Sequence, residues 1–247
     1  MSLESLHTIY GFDIQMERDS VLHQAIKQNG FHEKAESEMV LQLIHPGDFC
    51  IDAGCHAGYF SLLMLSKGAE VLSIDANPEM CKLAEINLAP YSHHVMNVAL
   101  GNRTGHVEFY LVDHPNEGMS SVGRVSDRHI LADMVRLQDL PMPDRVRMLK
   151  LDVEGSEVQA LLGAGDLLKR IDYILMECQS CRLVTLNDGL HGVTSILSGW
   201  EVWEPDAHGS WNQLPEARDS YNILFINPIA IERARKESEN QVVEAAQ

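Results

Sequence analysis

Short apolar runs alternate with amphipathic stretches through most of the chain. Runs of strand length and stretches of helical periodicity follow one another as FCIDA, YFSLLMLSK, EVLSIDA, PEMCKLAEINLA and HVMNVAL, and later as RVRMLKLDV, SEVQALLGAGDLLK, YILMEC and HGVTSILSG. Strands that are separated by helices pair in parallel through right-handed crossovers. The pattern therefore predicts an α/β fold, with a Rossmann-like, doubly wound sheet that carries helices on both faces.

Two features modify this alternation. The last two apolar runs, WEVWEP and SYNILFINP, are joined by a loop too short for a helix, so we expect them to be antiparallel. After HVMNVAL, the segment HVEFYLVD alternates like an exposed strand and leads into a polar stretch rich in Gly and Ser. We therefore predict a seven-stranded, mostly parallel sheet with an inserted hairpin and loop between strands 3 and 4. We expect the loop, residues 113–136, to carry specificity, because long loops on a rigid sheet usually do.

The two ends of the chain lie outside the alternating pattern. The stretch FHEKAESEMVLQLI has the apolar stripe of an amphipathic helix. The C-terminal stretch IERARKESENQVVEAAQ is charged and is expected to be a solvated helix or disordered. We divide the chain into an N-terminal helical segment (1–45), one α/β domain (46–230) and a charged tail (231–247).

Composition narrows the classes of partner. The 247 residues include 19 basic and 36 acidic side chains, a formal net charge of −17. Such a surface repels phosphate backbones and anionic lipids, so nucleic acid is not expected as a partner. No apolar run is long enough to cross a bilayer and no signal segment is evident, which predicts a cytoplasmic protein.

The cysteines do not indicate a disulfide scaffold. The five cysteines are odd in number and lie mostly beside apolar runs, which is typical of reduced thiols. Cys178 and Cys181 form a C-x-x-C pair that could be redox-active or half of a zinc site. A structural zinc normally needs a second ligand pair, and none is present, so we favour the interpretation without a metal.

The first predicted strand ends in a turn of the kind that binds nucleotides. In FCIDAGCHAGYFSLLML, Asp52, Gly54 and Gly58 stand between the strand and the helix. A dinucleotide fingerprint would need glycines at positions 56 and 59, but these are His56 and Tyr59. An acid followed by Gly-x-x-x-Gly is typical of S-adenosylmethionine sites, which hold a sulfonium and an amino-acid portion. A plain strand-to-helix turn remains the alternative.

Acidic and amide side chains follow the next two predicted strands. Asp75 ends the second strand, where a carboxylate can accept hydrogen bonds from both ribose hydroxyls of either NAD or S-adenosylmethionine. Asn97, near the end of the third strand, could read the adenine edge, although Asn is also common in turns. The full set predicted to bind the cofactor is Asp52, Gly54, His56, Gly58, Tyr59, Phe60, Asp75, Ala76, Asn97, Val98 and Asp152.

These motifs, together with SIDANP, NVALGN, GMSSV and above all MLKLDVEGSEVQALLGA, resemble the FkbM family of S-adenosylmethionine-dependent methyltransferases over residues 31–228. The resemblance implies a class I methyltransferase fold, S-adenosyl-L-methionine as cofactor, and methylation of a hydroxyl on a small molecule, sugar or lipid. The family also carries a polar residue other than glycine in the turn, which accounts for His56. The chain departs from the family at Asp75, where Glu is frequent, and at the pair Cys178 and Cys181.

Three acids follow the fourth and fifth predicted strands and are the candidate catalytic residues: Asp152, Glu154 and Glu177. One carboxylate could act as the general base that removes the acceptor proton, especially if apolar surroundings raise its pKa. The three could instead hold a divalent cation such as Mg²⁺ on the acceptor oxygen. Glu154 could also cap the following helix, with Asp152 ordering the loop.

Other polar residues have alternative roles. His32 and Glu33 could close over the cofactor or simply begin a helix, and the inserted loop brings His114, Ser120 and Ser121 to the expected acceptor pocket. Two other functions stay open on the residues alone: an NAD-dependent oxidoreductase, and a catalytically silent subunit that binds the cofactor within an assembly. The acceptor, N-methylation and the oligomeric state are also open.

Overall fold

The computed structural model describes residues 2–113, 115, 117–122, 126–177, 189–206, 208–215 and 222–245. Its strands, in chain order, are β1 Leu3–His7, β2 Asp13–Glu17, β3 Phe49–Ala53, β4 Glu70–Asp75, β5 His94–Asn97, β6 Ala99–Leu100, β7 Gly105–Tyr110, β8 His129–Val135, β9 Val146–Leu151, β10 Ile171–Glu177, β11 Glu201–Pro205, β12 Trp211–Leu214 and β13 Asn222–Ile226. Its α-helices are α1 Val21–Asn29, α2 Lys34–Leu43, α3 Tyr59–Ser66, α4 Pro78–Leu88, α5 Glu157–Ala164, α6 Gly189–Ile196 and α7 Pro228–Ala245.

The main sheet has the strand order β12-β11-β13-β10-β9-β3-β4-β5. From β10 to β5 all neighbours are parallel, whereas β13 pairs antiparallel with both β10 and β11. The order reverses between β3 and β9, which is where open α/β sheets form their ligand crevice. The predicted doubly wound, mostly parallel sheet with an antiparallel pair at its end is confirmed.

The strand count differs slightly from the prediction of seven. An eighth strand, β12, pairs antiparallel with β11 at the edge of the sheet. Its four residues, WNQL, are exposed or half-buried, so they lack the buried apolar pattern that identifies a strand in a sequence. The predicted strand HVMNVAL is also divided, because β5 belongs to the main sheet and β6 to a second sheet.

The predicted insertion forms this second sheet, in the order β6-β8-β7. Strands β7 and β8 are antiparallel, and β6 pairs parallel with β8. A small apolar cluster that includes Phe109, Leu111 and Met134 packs beneath them. The hairpin is therefore a separate layer beside the main sheet, with the loop between its strands directed to the carboxyl ends of the main strands.

The N-terminal segment is only partly helical, which corrects the prediction for residues 1–45. Strands β1 and β2 form an antiparallel hairpin before α1 and α2. The hairpin is held to α4 by Asn87, whose Oδ1 accepts from the Gln15 amide at 2.7 Å and whose Nδ2 donates to the Gln15 carbonyl at 3.0 Å. Asn87 Nδ2 also donates to the Ala57 carbonyl at 2.8 Å, so the hairpin is fastened to the turn after β3.

The C-terminal tail, predicted to be a solvated helix or disordered, is helical from Pro228 to Ala245. Arg233 anchors it by an ion pair to the buried Asp172, with 2.6 Å between Nη1 and Oδ1. No helix in the described ranges has the length and apolar content that a bilayer span requires.

Candidate active site

A cavity of about 390 Å³ opens at the carboxyl ends of β3, β4, β9 and β10. This is the edge where the strand order reverses, as expected for a ligand site in an open α/β sheet. Its floor is formed by the turn after β3 and the ends of the parallel strands. Its roof combines Ser20, Val21, Leu22, His32 and Glu33 from the N-terminal segment with Gly118, Met119, Ser120 and Val122 from the insertion. Both additions to the core sheet therefore close over one site.

The turn after β3 depends on a glycine at position 54. Gly54 has a φ of +80°, and a Cβ on it would overlap the backbone carbonyl oxygen of Asp152. The Gly54 amide donates to the Ile74 carbonyl at 2.8 Å, and the Cys55 amide donates to the same oxygen at 3.0 Å. The absence of a side chain lets the backbones after β3 and β9 approach closely beside the cavity.

Asp75 occupies the place predicted for a ribose-binding acid. It lines the cavity, its Oδ2 accepts from the His56 amide at 2.8 Å, and its Oδ1 accepts from the Asn77 amide at 2.7 Å. Burial raises the pKa of Asp75 to about 6. Each carboxylate oxygen has a second lone pair, so the group can still accept hydrogen bonds from a ligand diol.

The structure separates the predicted cofactor residues into two groups. Those that line the cavity are Gly54, His56, Tyr59, Phe60, Asp75, Ala76, Val98 and Asp152. Three others, Asp52, Gly58 and Asn97, are not in its lining. For the lining residues, contact with the cofactor remains a prediction.

The three residues outside the lining hold the framework together. Asp52 is buried and accepts from Ser61 Oγ at 2.6 Å, and burial raises its pKa. A Cβ on Gly58 would lie 3.3 Å from Leu88 Cδ2, so this glycine faces α4. The side chain of Asn97 donates through Nδ2 to the backbone carbonyl of Asp75 at 3.0 Å and joins β5 to β4.

All three predicted catalytic acids, Asp152, Glu154 and Glu177, line the cavity. Among them lies Lys150, which the sequence analysis did not identify. Its side chain is buried, with Nζ 3.1 Å from Asp152 Oδ2 and 4.5 Å from the centroid of the Phe60 ring. The available signal was a lysine inside the apolar strand RVRMLKLDV, where a charge is buried only if it has a partner.

The charges at this end of the cavity shift one another's ionisation. Burial, and next the negative charge of Asp152, raises the pKa of Glu177 to about 8. Burial also raises the pKa of Glu33 to about 7, against the opposing effect of Lys150. For Lys150 itself, burial favours the neutral form, but the carboxylates of Asp152 and Glu33 outweigh it and raise its pKa above the usual value. The cluster thus holds one ammonium and several acids, of which two have a raised pKa.

The Mg²⁺ prediction is not supported. Among the residues that the structure describes, no three His, Cys, Asp or Glu side chains form a group that could hold a metal ion. The physical reason lies in Lys150, whose ammonium supplies the positive charge that a cluster of carboxylates needs. The alternative in which Glu154 caps α5 is not what the structure shows. The N-cap residue of α5 is Ser156, and the Gly155 amide donates to the carboxylate of Glu157 at 2.8 Å.

The remaining predicted residues have mixed outcomes. Ser120 lines the cavity, whereas Ser121 is buried in the insertion and exchanges backbone hydrogen bonds with Tyr110 at 2.9 and 3.0 Å. His32 lines the cavity, and burial lowers its pKa to about 4. His114, Cys178 and Cys181 lie outside the described residues.

Comparisons with known proteins identify a family for this chain. The sequence model of the Methyltransferase FkbM domain matches residues 52–192, which include the turn after β3, the insertion and the acids after β9 and β10. Among curated proteins no match was found.

Several solved structures of methyltransferases have a similar outline. The N-methyltransferase NodS from Bradyrhizobium japonicum is 13% identical over 85% of this chain and 93% of its own, with a TM-score of 0.47. The magnesium protoporphyrin IX methyltransferase from Synechocystis is 13% identical over 85% of this chain and 84% of its own (TM-score 0.43), and an rRNA methylase from Streptococcus thermophilus is 9% identical over 77% and 91% (TM-score 0.42). These scores are too low to bear on function. Because the family model matches more than half of this chain, the chain belongs to the FkbM family of methyltransferases.

Proposed function

We propose that this methyltransferase uses S-adenosylmethionine to methylate a hydroxyl group on a small molecule, a sugar or a lipid. One observation carries the choice of a hydroxyl. The carboxylate of Glu177 and the ion pair of Lys150 and Asp152 line the same cavity as the predicted ribose acid, Asp75. An aliphatic hydroxyl has to lose its proton to become a good nucleophile, and a carboxylate beside the transfer site can accept it.

The cavity fits S-adenosylmethionine in its chemistry. The turn at Gly54 has no room for a side chain, Asp75 can accept from a diol, and Ile74, Met80 and Val98 give the same end of the cavity apolar walls. When bound, S-adenosylmethionine supplies an electrophilic methyl group on a sulfonium, whose transfer leaves S-adenosylhomocysteine. Positioning of the two reactants at contact distance can provide much of the acceleration.

The residues around Lys150 would remove the proton from the acceptor hydroxyl and stabilise the charge that its loss creates. In the proposed mechanism the acceptor oxygen forms its bond to the methyl carbon while its proton passes to the carboxylate of Glu177. Lys150 holds Asp152 in place through the ion pair, and its positive charge offsets the negative charge that develops on the acceptor oxygen. Phe60 covers one side of the ammonium and helps to exclude water from it.

The proposal is tested by following the methyl group. Protein incubated with ¹³C-methyl S-adenosylmethionine and a fractionated metabolite extract should place the label on oxygen, which a methyl carbon resonance shifted downfield of N-methyl and C-methyl carbons would show. Label on nitrogen or carbon would contradict O-methylation. Binding of S-adenosylhomocysteine without any transfer would favour the catalytically silent subunit. The family assignment itself disfavours the NAD-dependent oxidoreductase.

The ribose role of Asp75 gives a further expectation. The variant Asp75→Asn should bind S-adenosylhomocysteine more weakly by about 1.5 to 3 kcal/mol, because charge-assisted hydrogen bonds to the ribose are lost. Isothermal titration calorimetry measures the effect. The matched control is Asp133→Asn in β8, an exposed acid outside the cavity, which should bind as the unmodified protein does. Equal affinities of the two folded variants would exclude Asp75 from the cofactor site.

A further inference from the structure

The imidazole of His56 lies in the candidate site and has no hydrogen-bond partner among the residues that the structure describes. It lines the cavity, and both of its ring nitrogens are enclosed without a hydrogen bond to any described residue. Enclosed polar groups in proteins are almost always hydrogen-bonded, because an unsatisfied one costs stability. The ring therefore needs a partner that these parts of the chain do not provide.

The backbone at His56 is held in an uncommon conformation. Its φ is +50°, in the left-handed region, and its amide is fixed by the hydrogen bond to Asp75 Oδ2 at 2.8 Å. Three of the four described residues other than glycine that have a positive φ, namely Glu33, His56 and Glu154, line this cavity. Unfavourable backbone conformations of this kind concentrate at ligand sites, where the surrounding structure enforces them.

The position of the ring restricts what it can contact. A Cβ on Gly118 of the insertion would lie 3.7 Å from His56 Cδ2 and 3.8 Å from Nε2. The ring therefore lies beneath the roof that the insertion forms, while its own backbone is bonded to the carboxylate of Asp75. The imidazole and the carboxylate of Asp75 therefore line the same cavity beneath this roof.

The protonation state of the His56 imidazole indicates which ligand groups it can bind. Burial lowers the pKa of His56 to about 4, so the ring is neutral at ordinary pH and offers one N–H donor and one acceptor nitrogen. Hydroxyl groups both donate and accept, so a diol complements the ring better than a carboxylate does. The carboxylate of Asp75 can only accept hydrogen bonds from a diol, so the N–H of the imidazole would supply the donor that the hydroxyl oxygens still need.

We propose that the imidazole of His56, together with the carboxylate of Asp75, binds the ribose hydroxyls of the S-adenosyl cofactor. The inference rests on the proposed function only for the identity of the cofactor, and it does not depend on which acceptor is methylated. It gives His56 a role through its side chain in addition to that of its backbone.

The test compares two probes in the full-length protein. S-adenosylhomocysteine carries the ribose and the amino-acid portion, whereas 5′-methylthioadenosine carries the ribose without the amino acid. The variant His56→Asn removes the ring and keeps a residue that tolerates a left-handed backbone. We expect its affinity for both probes to fall by the same factor, about tenfold for a lost hydrogen bond in an enclosed site. The control His106→Asn, at an exposed histidine of β7, should leave both affinities unchanged.

The other outcomes would overturn the proposal. Unchanged affinities in folded His56→Asn would show that the ring does not contact the cofactor, and a loss confined to S-adenosylhomocysteine would place the ring at the amino-acid portion. Binding of 2′- and 3′-deoxyadenosine distinguishes contact with ribose from contact with adenine, because each compound keeps the adenine and lacks one ribose hydroxyl. The unmodified protein should bind at least one of them more weakly than adenosine, and this difference should be smaller in His56→Asn, where only Asp75 still binds the ribose hydroxyls.

A second measurement follows the ring directly in the unmodified protein. Imidazole nitrogen resonances of the ¹⁵N-labelled protein, assigned with His56→Asn, should shift for His56 when 5′-methylthioadenosine is added. No shift at saturation would also overturn the proposal. Failure to methylate a hydroxyl would contradict the proposed function but leave these binding results valid, so the two can fail separately.

Discussion

Replacing Glu177 with glutamine should lower the rate of methyl transfer by about two to four orders of magnitude, the range for loss of a general base. Glutamine has nearly the same shape and can still line the cavity, but it cannot accept the acceptor proton. Affinity for S-adenosylhomocysteine should change little, since the predicted cofactor contacts are made elsewhere in the cavity. Single-turnover transfer of a radiolabelled methyl group measures the rate, and calorimetry measures the affinity.

The control for this change is Glu70→Gln, an exposed glutamate at the opposite end of the sheet, at the start of β4. It should transfer methyl groups at the unmodified rate. A second comparison, Asp152→Asn, separates the two candidate bases. If Glu177→Gln retains its rate and Asp152→Asn loses it, Asp152 is the base and the mechanism proposed for Glu177 is wrong.

The pH dependence of the methyl-transfer rate gives an independent test of Glu177 as the base. Because burial raises the pKa of Glu177 to about 8, its carboxyl is largely protonated below that pH and cannot accept a proton. The rate should therefore rise as pH increases through about 8 and level off above it. In Glu177→Gln the residual rate should lose this step. A rate in the unmodified protein that does not vary with pH around this value would contradict the role of Glu177.

The parallel core could be predicted because its strands are buried on both faces. Strand β3 therefore reads as a largely apolar run, and the helices between such strands fix their parallel pairing. Strand β12 has no such pattern, since an edge strand in contact with solvent can have almost any sequence. The hairpin of β1 and β2 did leave a signal, because Ile14 and Met16 alternate with exposed residues, but five residues per strand give little periodicity.

The site could be predicted as far as the sheet determines it. Parallel strands bring their carboxyl ends to one edge, so Asp75, Asp152 and Glu177 had to be neighbours. The sequence left two alternatives for His32 and Glu33, closing over the cofactor or beginning a helix, and could not decide between them. In the structure both line the cavity, where the His32 amide donates to Tyr59 Oη at 3.1 Å across 27 positions of the chain. A sequence also does not show that the Asp52 side chain accepts from Ser61 and lies outside the cavity lining.

Gly54→Ala should destabilise the fold by about 2 to 5 kcal/mol and abolish measurable binding of S-adenosylhomocysteine. The first part is the left-handed backbone at a φ of +80°, which costs a residue with a Cβ about 1 to 2 kcal/mol. The second is the overlap of that Cβ with the Asp152 carbonyl, which typically costs about 1 to 3 kcal/mol when the structure has to move. Because Asp152 carries the ion pair with Lys150, its displacement also disturbs the catalytic end of the cavity.

Gly47→Ala isolates the overlap from the backbone cost. Gly47 has a φ of +86°, is exposed, and a Cβ on it would have no atom within 4 Å. This variant should therefore be destabilised only by the left-handed backbone, and it should bind S-adenosylhomocysteine normally. Urea unfolding of the two variants and of the unmodified protein gives the free energies of unfolding, and calorimetry gives the affinities. Equal destabilisation of the two variants, with binding retained in both, would show that the turn at Gly54 does not need the close approach of Asp152 and that its glycine serves only the backbone conformation.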